Sequence, residues 1–369
     1  MKSRNSPGAG GNGDPAPGAN GGAKPKRTIR NIVLAGLLGI ALVAGGFLFN
    51  VAQIWNTQTA KTEVSAAPET PPQTAAPSPS KPAAQPVKPA PKPVKPPPPP
   101  TLPMNILLIG SDHRKGDAPT PNGLPNQRSD VMILVHLAAD GRHAYGISLM
   151  RDLWVPIPGY GEAKINASLE QGGMPLAVKT VESLFGQKIQ HSVMIDFEGF
   201  RGITEALGGV DVNVREAFTS THDTHQHFPA GVNRLKGQRA LEFVRERYAF
   251  ADGDFQRVAN QQLFLRSTLG KLLSARTLAN PVTLYKLVST ASKYITVDKG
   301  LNAATLASLA YSLRNVRVED AVSFTLPTAG FGTSTDGQSI ILPDYGAMAQ
   351  VGAALRQDRV GQYAAALGK

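Results

Sequence analysis

Apolar and polar positions divide the chain into an N-terminal part without a repeating pattern and a C-terminal part with one. Within residues 1–103, only Ile32–Phe49 forms a long apolar run, and the flanking stretches are rich in Gly, Pro, Ala and Lys. Beyond residue 103, short apolar runs alternate with segments of helical spacing. Segments that cannot bury apolar side chains do not fold on their own. We therefore predict one folded domain, at residues 104–369.

The pattern of residues 104–369 is typical of an α/β protein. Apolar runs predict strands at Asn105–Ile109, Val131–Leu137, His143–Leu149, Val193–Phe197 and Val210–Val214. Helical spacing predicts helices at Pro175–Phe185, Glu198–Leu207, Phe255–Leu273 and Leu301–Leu313. We expect a single mixed β-sheet with flanking helices. If the first two strands pair in antiparallel fashion, the two ends of the loop that joins them lie together.

The apolar run near the N-terminus predicts one transmembrane helix, which we place at residues 31–54. It is long enough to cross a hydrocarbon core of ~30 Å, and a basic cluster at residues 24–30 keeps the preceding end in the cytoplasm. Residues 1–30 are then a disordered, basic cytoplasmic tail. The alternatives are a buried core helix, which lacks folded sequence around it, and a cleaved signal peptide, whose apolar region is usually only ~7–15 residues long.

Residues 55–103 are predicted to be a disordered linker rich in Pro, Ala and Lys. The linker begins with Trp55, which we expect at the far membrane interface. Its Pro-rich sequence favours polyproline II, extended by ~3.1 Å per residue, and so suits a semi-rigid spacer. The competing interpretation, ligands for cytoplasmic adaptor domains, puts these motifs on the wrong side of the membrane. The topology predicts a single-pass protein of the cell membrane with an extracytoplasmic domain.

Charge is distributed as unevenly as the apolar residues. The chain has 38 Lys+Arg against 27 Asp+Glu, a net charge of +11, and residues 1–103 account for +8 of it. The remaining +3 of the domain and the absence of a helix-turn-helix pattern argue against nucleic acid as a partner. The chain has no Cys, which excludes disulfides, thiolate metal sites and Cys nucleophiles.

Two carboxylates lie at the ends of the first two predicted strands. Asp112 follows the first strand and Asp130 begins the second, with Arg114 and Arg128 beside them. If the strands pair, the carboxylates converge at the sheet edge, an arrangement suited to Mg²⁺ that also binds phosphate oxygens. The alternative is that Asp112 caps a loop and Asp130 is a solvated residue at the start of a strand.

A group of arginines follows further along the chain. Arg245 and Arg247 are two residues apart, so they share one face of a strand but not of a helix. Asp254, Arg257 and Gln261 are spaced as on one face of a helix. Arginines on two adjoining elements favour one phosphate site, because guanidinium binds phosphate in bidentate fashion. The alternative is two charged surfaces whose partners are neighbouring glutamates.

Two further signals are weak by themselves. Arg151 beside Asp152 follows a predicted strand, with Lys164 and Asn166 shortly after, and such surface pairs are usually of little consequence. The stretch Thr219–His227 contains three histidines but lacks the rigid helical spacing of a zinc site, so we expect an exposed loop. The P-loop, the G-x-S-x-G elbow and a dinucleotide fingerprint are absent, which disfavours nucleotide-dependent enzymes and serine hydrolases.

In order and spacing, these segments resemble the LytR-CpsA-Psr family of wall-polymer ligases over about residues 105–265. The matching segments are Asn105–Asp112, Arg128–Asp130, Ser148–Val155, Lys164–Ala167, Ile195–Phe200, Leu207–Val212 and Val244–Tyr248 with Asp254–Arg257. The basic N-terminus, single anchor and spacer are also similar to the family's architecture. Heavy use of Ala, Gly, Pro and Arg is typical of a high-GC actinobacterium.

The resemblance implies transfer of a glycopolymer phosphate from a polyprenyl-pyrophosphate carrier to a hydroxyl of peptidoglycan, with polyprenyl phosphate as the leaving group. It implies a phosphate clamp made of Arg151, Arg245, Arg247 and Arg257, and a site for Mg²⁺ (or Mn²⁺) made of Asp112 and Asp130. Further substrate contacts would come from Arg114, Arg128, Lys164, Asn166 and Gln261. Asp254 either orients an arginine or accepts the proton of the attacking hydroxyl.

Other functions and several polymers are compatible with the same sequence. The chain is alternatively a non-catalytic module that binds polyprenyl phosphate or wall polymer, or a lipid pyrophosphatase with water as the acceptor. A lipid tail needs an apolar groove between helices and sheet, and the apolar pattern does not separate its lining from an ordinary core. Teichoic acid, arabinogalactan and capsule polymers are the candidate substrates.

Overall fold

The computed structural model of the chain describes residues 45–62, 102–113, 124, 127–274, 277 and 280–369. The chain divides into two compact units, Met1–Phe49 and Asn50–Lys369. Residues 45–49, the described part of the first unit, are helical. The predicted tail (1–30) and most of the predicted anchor (31–54) lie outside the described residues. Within the described ranges, no helix has both the length and the apolar character needed to cross a bilayer.

The second unit is built on a mixed seven-stranded sheet with the strand order β1-β12-β7-β2-β3-β4-β13. Its strands are β1 (Ala60–Thr62), β2 (Met104–Ser111), β3 (Ser129–Leu137), β4 (Ala144–Leu149), β7 (His191–Ile195), β12 (Ile295–Asp298) and β13 (Ala321–Thr325). Four two-stranded ribbons accompany it: β5 (Trp154–Ile157) with β6 (Gly161–Lys164), β8 (Val210–Val214) with β11 (Gly231–Leu235), β9 (Phe218–Thr219) with β10 (His227–Phe228), and β14 (Thr328–Thr333) with β15 (Ser339–Pro343).

Helices cover this sheet on both faces. They are α1 (residues 50–58), α2 (Ala167–Phe185), α3 (Phe197–Ala206), α4 (Gly237–Arg245), α5 (Asp254–Leu273), α6 (Pro281–Ala291), α7 (Ala303–Ser312), α8 (Tyr345–Arg356) and α9 (Val360–Ala366). The predicted α/β class, the mixed sheet and the flanking helices are confirmed. α2 starts earlier than its apolar pattern predicts, because a non-helical break at Gly172 and Gly173 interrupts the periodicity.

The first two strands of the predicted domain pair in antiparallel fashion. Gly110 lies opposite Val131, and Ser111 opposite Ser129. Beyond the last pair, the backbone N–H of Asp112 donates to the carbonyl of Arg128 over 3.1 Å. The long polar loop between these strands therefore begins and ends at one point of the sheet, which brings the two carboxylate-bearing strand ends together.

Alternate residues of the central strands face opposite sides of the sheet. On one side, Leu107, Ile109 and Met132 pack in a core shared with α2, α8 and α9. On the other side, Ile106 packs with Leu309 of α7, and a separate apolar cluster joins α3, α4 and α5 to β8 and β11. The second side is the one that carries the candidate site.

The structure corrects the predicted boundary between linker and domain. Trp55 of α1 is buried, 9% exposed, and its indole Nε1 donates to the carbonyl of Leu301 over 3.0 Å. β1 then pairs in parallel with β12 at the edge of the sheet. Residues 55–62, assigned to the linker 55–103, thus belong to the fold, and the expectation that Trp55 lies at a membrane interface is wrong. A three-residue strand is too short for its pattern to reveal it.

Candidate active site

A cavity of about 610 Å³ lies between the sheet and the helices α3, α4 and α5. Its polar lining consists of Ser111, Asp130, Arg151, Asp196, Thr204, His222, Arg245, Arg247, Tyr248, Arg257, Gln261 and Thr268. The rest of the lining is apolar and comes from β2, β3, β7 and the three helices. One cavity therefore combines a group of arginines with an extended apolar wall.

The charged and apolar linings are separated along the cavity. On α5 the lining residues run from Arg257 and Gln261 to Leu265 and Leu272, about 22 Å along a helix axis. The strands β3, β2 and β7 show the same order. Each has a polar lining residue at or directly after the end near the arginines and an apolar lining residue three positions away: Asp130 and Ile133, Ser111 and Leu108, and Asp196 and Val193. The cavity thus matches an amphiphile that has an anionic head and an apolar tail.

Arg245 and Arg247 reach the cavity from the end of a helix. α4 ends at Arg245, and the next residue, Glu246, is extended, with φ −63° and ψ 132°. Because the backbone changes from helical to extended between the two arginines, both line the cavity although they are two residues apart. A strand at this position, which the spacing suggested, is therefore wrong.

Aromatic rings support these two guanidinium groups. The Cζ atom of Arg245 lies 4.5 Å from the ring centroid of Phe197, and that of Arg247 lies 4.3 Å from the ring centroid of Tyr248. Cation–π contacts of this kind hold a guanidinium in place without using its N–H donors. Within the described residues the guanidinium of Arg245 makes no hydrogen bond, so its donors stay available for an anion, whereas Arg247 also donates to Asp254 and to the hydroxyl of Tyr248.

Asp254 holds two of the arginines. Its Oδ1 accepts from Nη1 of Arg257 over 3.0 Å and lies 3.4 Å from Nη1 of Arg247. A carboxylate oxygen shared by two guanidinium groups holds both of them in place. Of the two roles considered for Asp254, the geometry supports orientation of arginines.

Arg257 is the most deeply buried of the site's arginines, 3% exposed. Burial, followed by repulsion from Arg151, lowers the pKa of Arg257 from its ordinary value. Its Nε has no hydrogen-bond partner within the described residues. A buried cation with an unused donor and a cationic neighbour is stabilised when an anion binds beside it.

Arg151 is fixed by a different carboxylate. Its Nη1 donates to Asp130 Oδ1 over 2.8 Å, and its Nε lies 3.6 Å from Asp152 Oδ2. Burial by itself would lower the pKa of Arg151, but the charge of Asp130 and then that of Asp152 outweigh it, so the pKa is raised. Arg151 is thus locked in its charged form at the polar end of the cavity.

Asp112 and Asp130 lie close together and fit a divalent cation. Burial, with a contribution from the charge of Asp130, raises the pKa of Asp112. Asp112 Oδ1 accepts the backbone N–H of Arg128 over 2.6 Å, so the carboxylate is fixed in place. Among the described residues, no three His, Cys, Asp or Glu side chains form a metal cluster. A pair of carboxylates is nevertheless the donor set for Mg²⁺, which takes its remaining ligands from water and phosphate.

Three of the predicted substrate-binding residues lie beside the cavity and do not line it. Arg128 is exposed and pairs with Glu170 over 2.8 Å. Lys164 pairs with Asp152 over 3.4 Å, and the backbone N–H of Asn166 donates to the carbonyl of Arg151 over 3.2 Å. Lys164 and Asn166 therefore support the segment that carries Arg151.

The other two predicted substrate-binding residues have different positions. Gln261 lies on the cavity wall, and its Nε2 donates to the carbonyl of Val244 over 3.1 Å. This hydrogen bond ties α5 to α4 just before the arginines at the end of α4. Arg114 lies outside the described residues.

His222 is a site residue that the sequence did not indicate. It lines the cavity, and its Nε2 is buried without a hydrogen-bond partner within the described part of the chain. The sequence predicted that His222, His225 and His227 are all exposed. This is correct for His225 and His227. Periodicity cannot find such a residue, because a loop has none; a histidine near the arginines in space is visible only once the chain is folded.

Two buried glutamates, Glu242 in α4 and Glu246 directly after it, hold the loop that carries His222. Glu246 accepts the backbone N–H of Thr221 over 2.6 Å, and Glu242 accepts the hydroxyl and the backbone N–H of Thr224. Burial raises the pKa of both carboxyls, but these hydrogen bonds outweigh it and leave each pKa lowered. The two glutamates are therefore loop anchors and not partners of the arginines.

The sequence model of the LytR_cpsA_psr family matches residues 72–357 of this chain. The chain belongs to the LytR_cpsA_psr family. The resemblance carried by the seven segments is thereby confirmed, and the match extends beyond them at both ends.

Curated relatives and solved structures agree with this assignment. The probable cell wall biosynthesis protein LcpB of Corynebacterium glutamicum is 32% identical over 252 residues, which cover 66% of this chain and 59% of that protein. The polyisoprenyl-teichoic acid–peptidoglycan teichoic acid transferase TagU of Bacillus cereus is 35% identical over 170 residues, 46% of this chain and 52% of that protein. The chain thus spans little more than half the length of these relatives.

The fold of the LytR_cpsA_psr chain is also found in a solved structure of similar extent. The crystal structure of B. subtilis TagV is similar with a TM-score of 0.59 at 25% sequence identity, and the match covers 70% of this chain and 97% of that one. The mixed sheet with flanking helices is therefore an architecture that a solved protein shares.

Proposed function

We propose that this LytR_cpsA_psr chain is a membrane-anchored phosphotransferase of cell-wall assembly. It moves a glycopolymer phosphate from a polyprenyl-pyrophosphate carrier to a hydroxyl of peptidoglycan. The observation that carries the proposal is the single cavity with arginines at one end and an apolar wall along α5. A prenyl chain fits the apolar part, and a pyrophosphate fits the arginines. The names of the relatives, a cell wall biosynthesis protein and a teichoic acid transferase, support the same reaction class.

The arginines bind and orient the pyrophosphate. Arg151, Arg245, Arg247 and Arg257 supply N–H donors to its oxygens. Asp130 holds Arg151, and Asp254 holds Arg247 and Arg257. Phosphoryl transfer depends mainly on positioning and on neutralising charge, which is what such a clamp supplies. The apolar walls exclude water from the reacting phosphorus and so favour a sugar hydroxyl as acceptor.

Asp112 and Asp130 are the residues that would hold Mg²⁺ or Mn²⁺. A bound divalent ion supplies charge neutralisation for phosphate oxygens. Hydrogen bonds fix the positions of both carboxylates: Asp112 accepts the backbone N–H of Arg128, and Asp130 accepts from Arg151.

His222 is the proton acceptor in this proposal. As the acceptor hydroxyl oxygen forms its bond to phosphorus, its proton passes to Nε2 of His222. The bond from phosphorus to the leaving polyprenyl phosphate breaks, and its electron pair stays on the leaving oxygen. Asp254 is engaged by two arginines, whereas His222 Nε2 has no partner within the described residues.

The test is a transfer assay with the full chain in detergent micelles. Lipid-linked glycopolymer, peptidoglycan fragments and Mg²⁺ are incubated, and the products are separated by mass. We expect polymer joined to the fragment through a phosphodiester, together with free polyprenyl phosphate. Free polymer phosphate without linked fragment would identify a pyrophosphatase, and carrier binding without turnover would identify a binding module; either result would refute the proposal.

A further inference from the structure

A second cavity, of about 540 Å³, lies on the face of α5 opposite the active site. Its walls are α5, the residues that follow β8, the side chains of Phe218 and Phe250, and residues 321–323 of β13. β13 is an edge strand, since among the described residues it pairs only with β4. We call this cavity the β13 cleft. Unlike the active-site cavity, it is lined about equally by polar and apolar surface.

The floor of the β13 cleft holds an amide with an unused donor. Asn260 is 4% exposed, and its Oδ1 accepts from Gln256 Nε2 over 2.9 Å. Its Nδ2 has no hydrogen-bond partner within the described residues. An unpaired buried N–H₂ is costly, and a carbonyl oxygen supplied by a ligand removes that cost.

The rim of the β13 cleft is basic. Arg215 and Arg266 are exposed and form no ion pair with any described residue. Lys369 is a third cation of the lining, and Glu216 is its one carboxylate side chain. The outer edge of β13 adds backbone N–H and C=O groups without a strand partner. Amides, free backbone groups and guanidinium together suit a ligand that carries both amide and carboxylate groups.

The β13 cleft lies within reach of the phosphate clamp. Successive residues of the first turn of α5 separate the two cavities: Arg257 lines the active site, and Gln256 lines the cleft. The two sites are therefore about one helix diameter, ~10 Å, apart. A ligand held in the cleft can extend around this helix end toward the arginines.

We propose that the β13 cleft binds the acceptor glycan, an N-acetylated sugar chain that bears peptide carboxylates. Asn260 and Gln256 bind acetamido or peptide groups, Arg215 and Arg266 bind carboxylates, and Phe250 offers an apolar ring face to a sugar. The prenyl carrier does not fit this cleft, because its tail requires the apolar cavity on the other face of α5. The inference rests on the proposed function, since it names where the acceptor of that reaction is held.

The test measures acceptor binding separately from transfer. A soluble disaccharide-peptide fragment of peptidoglycan is titrated into the full chain in micelles, for the wild type and for Arg266→Glu and Arg215→Glu. We expect each variant to weaken fragment binding about tenfold while binding of prenyl pyrophosphate is unchanged. The matched control is Arg356→Glu, at an exposed position of α8, which should bind the fragment like the wild type.

Two results would overturn the assignment. Equal fragment affinity in wild type, Arg266→Glu and Arg215→Glu would show that the acceptor binds elsewhere. A loss of affinity for free anionic wall polymer, with fragment affinity unchanged, would assign the cleft to the donor polymer. In the transfer assay the two variants should raise KM for the fragment about tenfold at unchanged kcat. Charge-dependent fragment binding in a chain that performs no transfer would refute the proposed function and leave the cleft assignment intact.

Discussion

Arg257 performs two tasks at once, and a lysine can perform only one of them. Its Nη1 is engaged by Asp254 while its Nε stays free within the described structure. A guanidinium is able to face a carboxylate and a phosphate together, whereas an ammonium is a single point charge on a flexible chain. The same argument applies, less strictly, to Arg247.

We therefore expect Arg257→Lys to reduce the transfer rate by about 10²- to 10³-fold, similar to the loss of one oriented donor to a developing charge. The rate is measured with saturating carrier and acceptor. Arg356→Lys on the exposed face of α8 is the control and should transfer at the wild-type rate. Activity of Arg257→Lys within twofold of the wild type would contradict a bidentate role.

His222→Ala should lower kcat by about 10²- to 10⁴-fold, the usual contribution of a proton acceptor, with little change in KM for the carrier. The matched control is His225→Ala, because His225 lies in the same loop and is exposed. Equal activity of both variants would exclude His222 from the chemistry.

Only some of the residues of the candidate site could be predicted from the sequence. The spacing of Asp254, Arg257 and Gln261 identified one helix face correctly, because helical periodicity is a local property. His222 was missed, since a loop residue acquires its neighbours only through folding. Lys164 and Asn166 were assigned to substrate contacts, and the structure has them beside Arg151 and outside the cavity wall.

Among the elements, α4 is the one that organises the polar end of the cavity. Its last turn ends at Arg245, and two buried glutamates, Glu242 within the helix and Glu246 directly after it, hold the loop that carries His222. One short helix thus fixes an arginine on one side and a histidine on the other. Neither Glu242 nor Glu246 could be assigned this role from sequence, because their partners are backbone groups twenty or so residues upstream.

Glu246→Gln should destabilise the fold by about 1–3 kcal/mol at pH 7, the range for hydrogen bonds to a charged group. Because the pKa of Glu246 is lowered in the folded state, its ionised form adds stability above the ordinary value of 4.5, and this stability is lost as the pH falls through the folded-state pKa. In urea unfolding, the difference between wild type and variant should be full at pH 7 and shrink at acid pH.

The control for this measurement is Glu319→Gln, a change at an exposed glutamate. It should leave the free energy of unfolding within about 0.5 kcal/mol of the wild type. A stability difference between wild type and Glu246→Gln that stays constant from pH 7 down to acid pH would contradict the linkage argument. The stabilisation comes from the ionised carboxylate and should disappear when that carboxylate is protonated.

At the scale of the whole molecule, the folded unit begins well before residue 104. α1 and β1 extend the sheet beyond β12, and Trp55 seals that edge against β12 and Leu301. The α/β class and the helical layers followed from apolar periodicity, whereas the antiparallel pairing of β2 and β3 was only a condition that the structure then met. The N-terminal edge did not, because one buried Trp and a three-residue strand carry too little pattern.

Trp55→Ala should lower the free energy of unfolding by about 3–5 kcal/mol, as for other large-to-small changes in a core. Gln53→Ala, at an exposed position of the same helix, is the control and should change it little. Urea unfolding of the full chain in micelles gives both values. Equal stability of the two variants would indicate that α1 contributes nothing to the fold.

The docking of β1 also changes what the Pro-rich segment does. β1 precedes it and β2 follows it, and both strands belong to the same sheet, separated only by β12 and β7. The two strands are thus about 14 Å apart across the sheet, at ~4.8 Å per strand spacing. Because both flanking strands are fixed in one sheet, the length of the segment does not set the distance between them. For a flexible loop, halving the segment would change the free energy of loop closure by only about 0.6 kcal/mol.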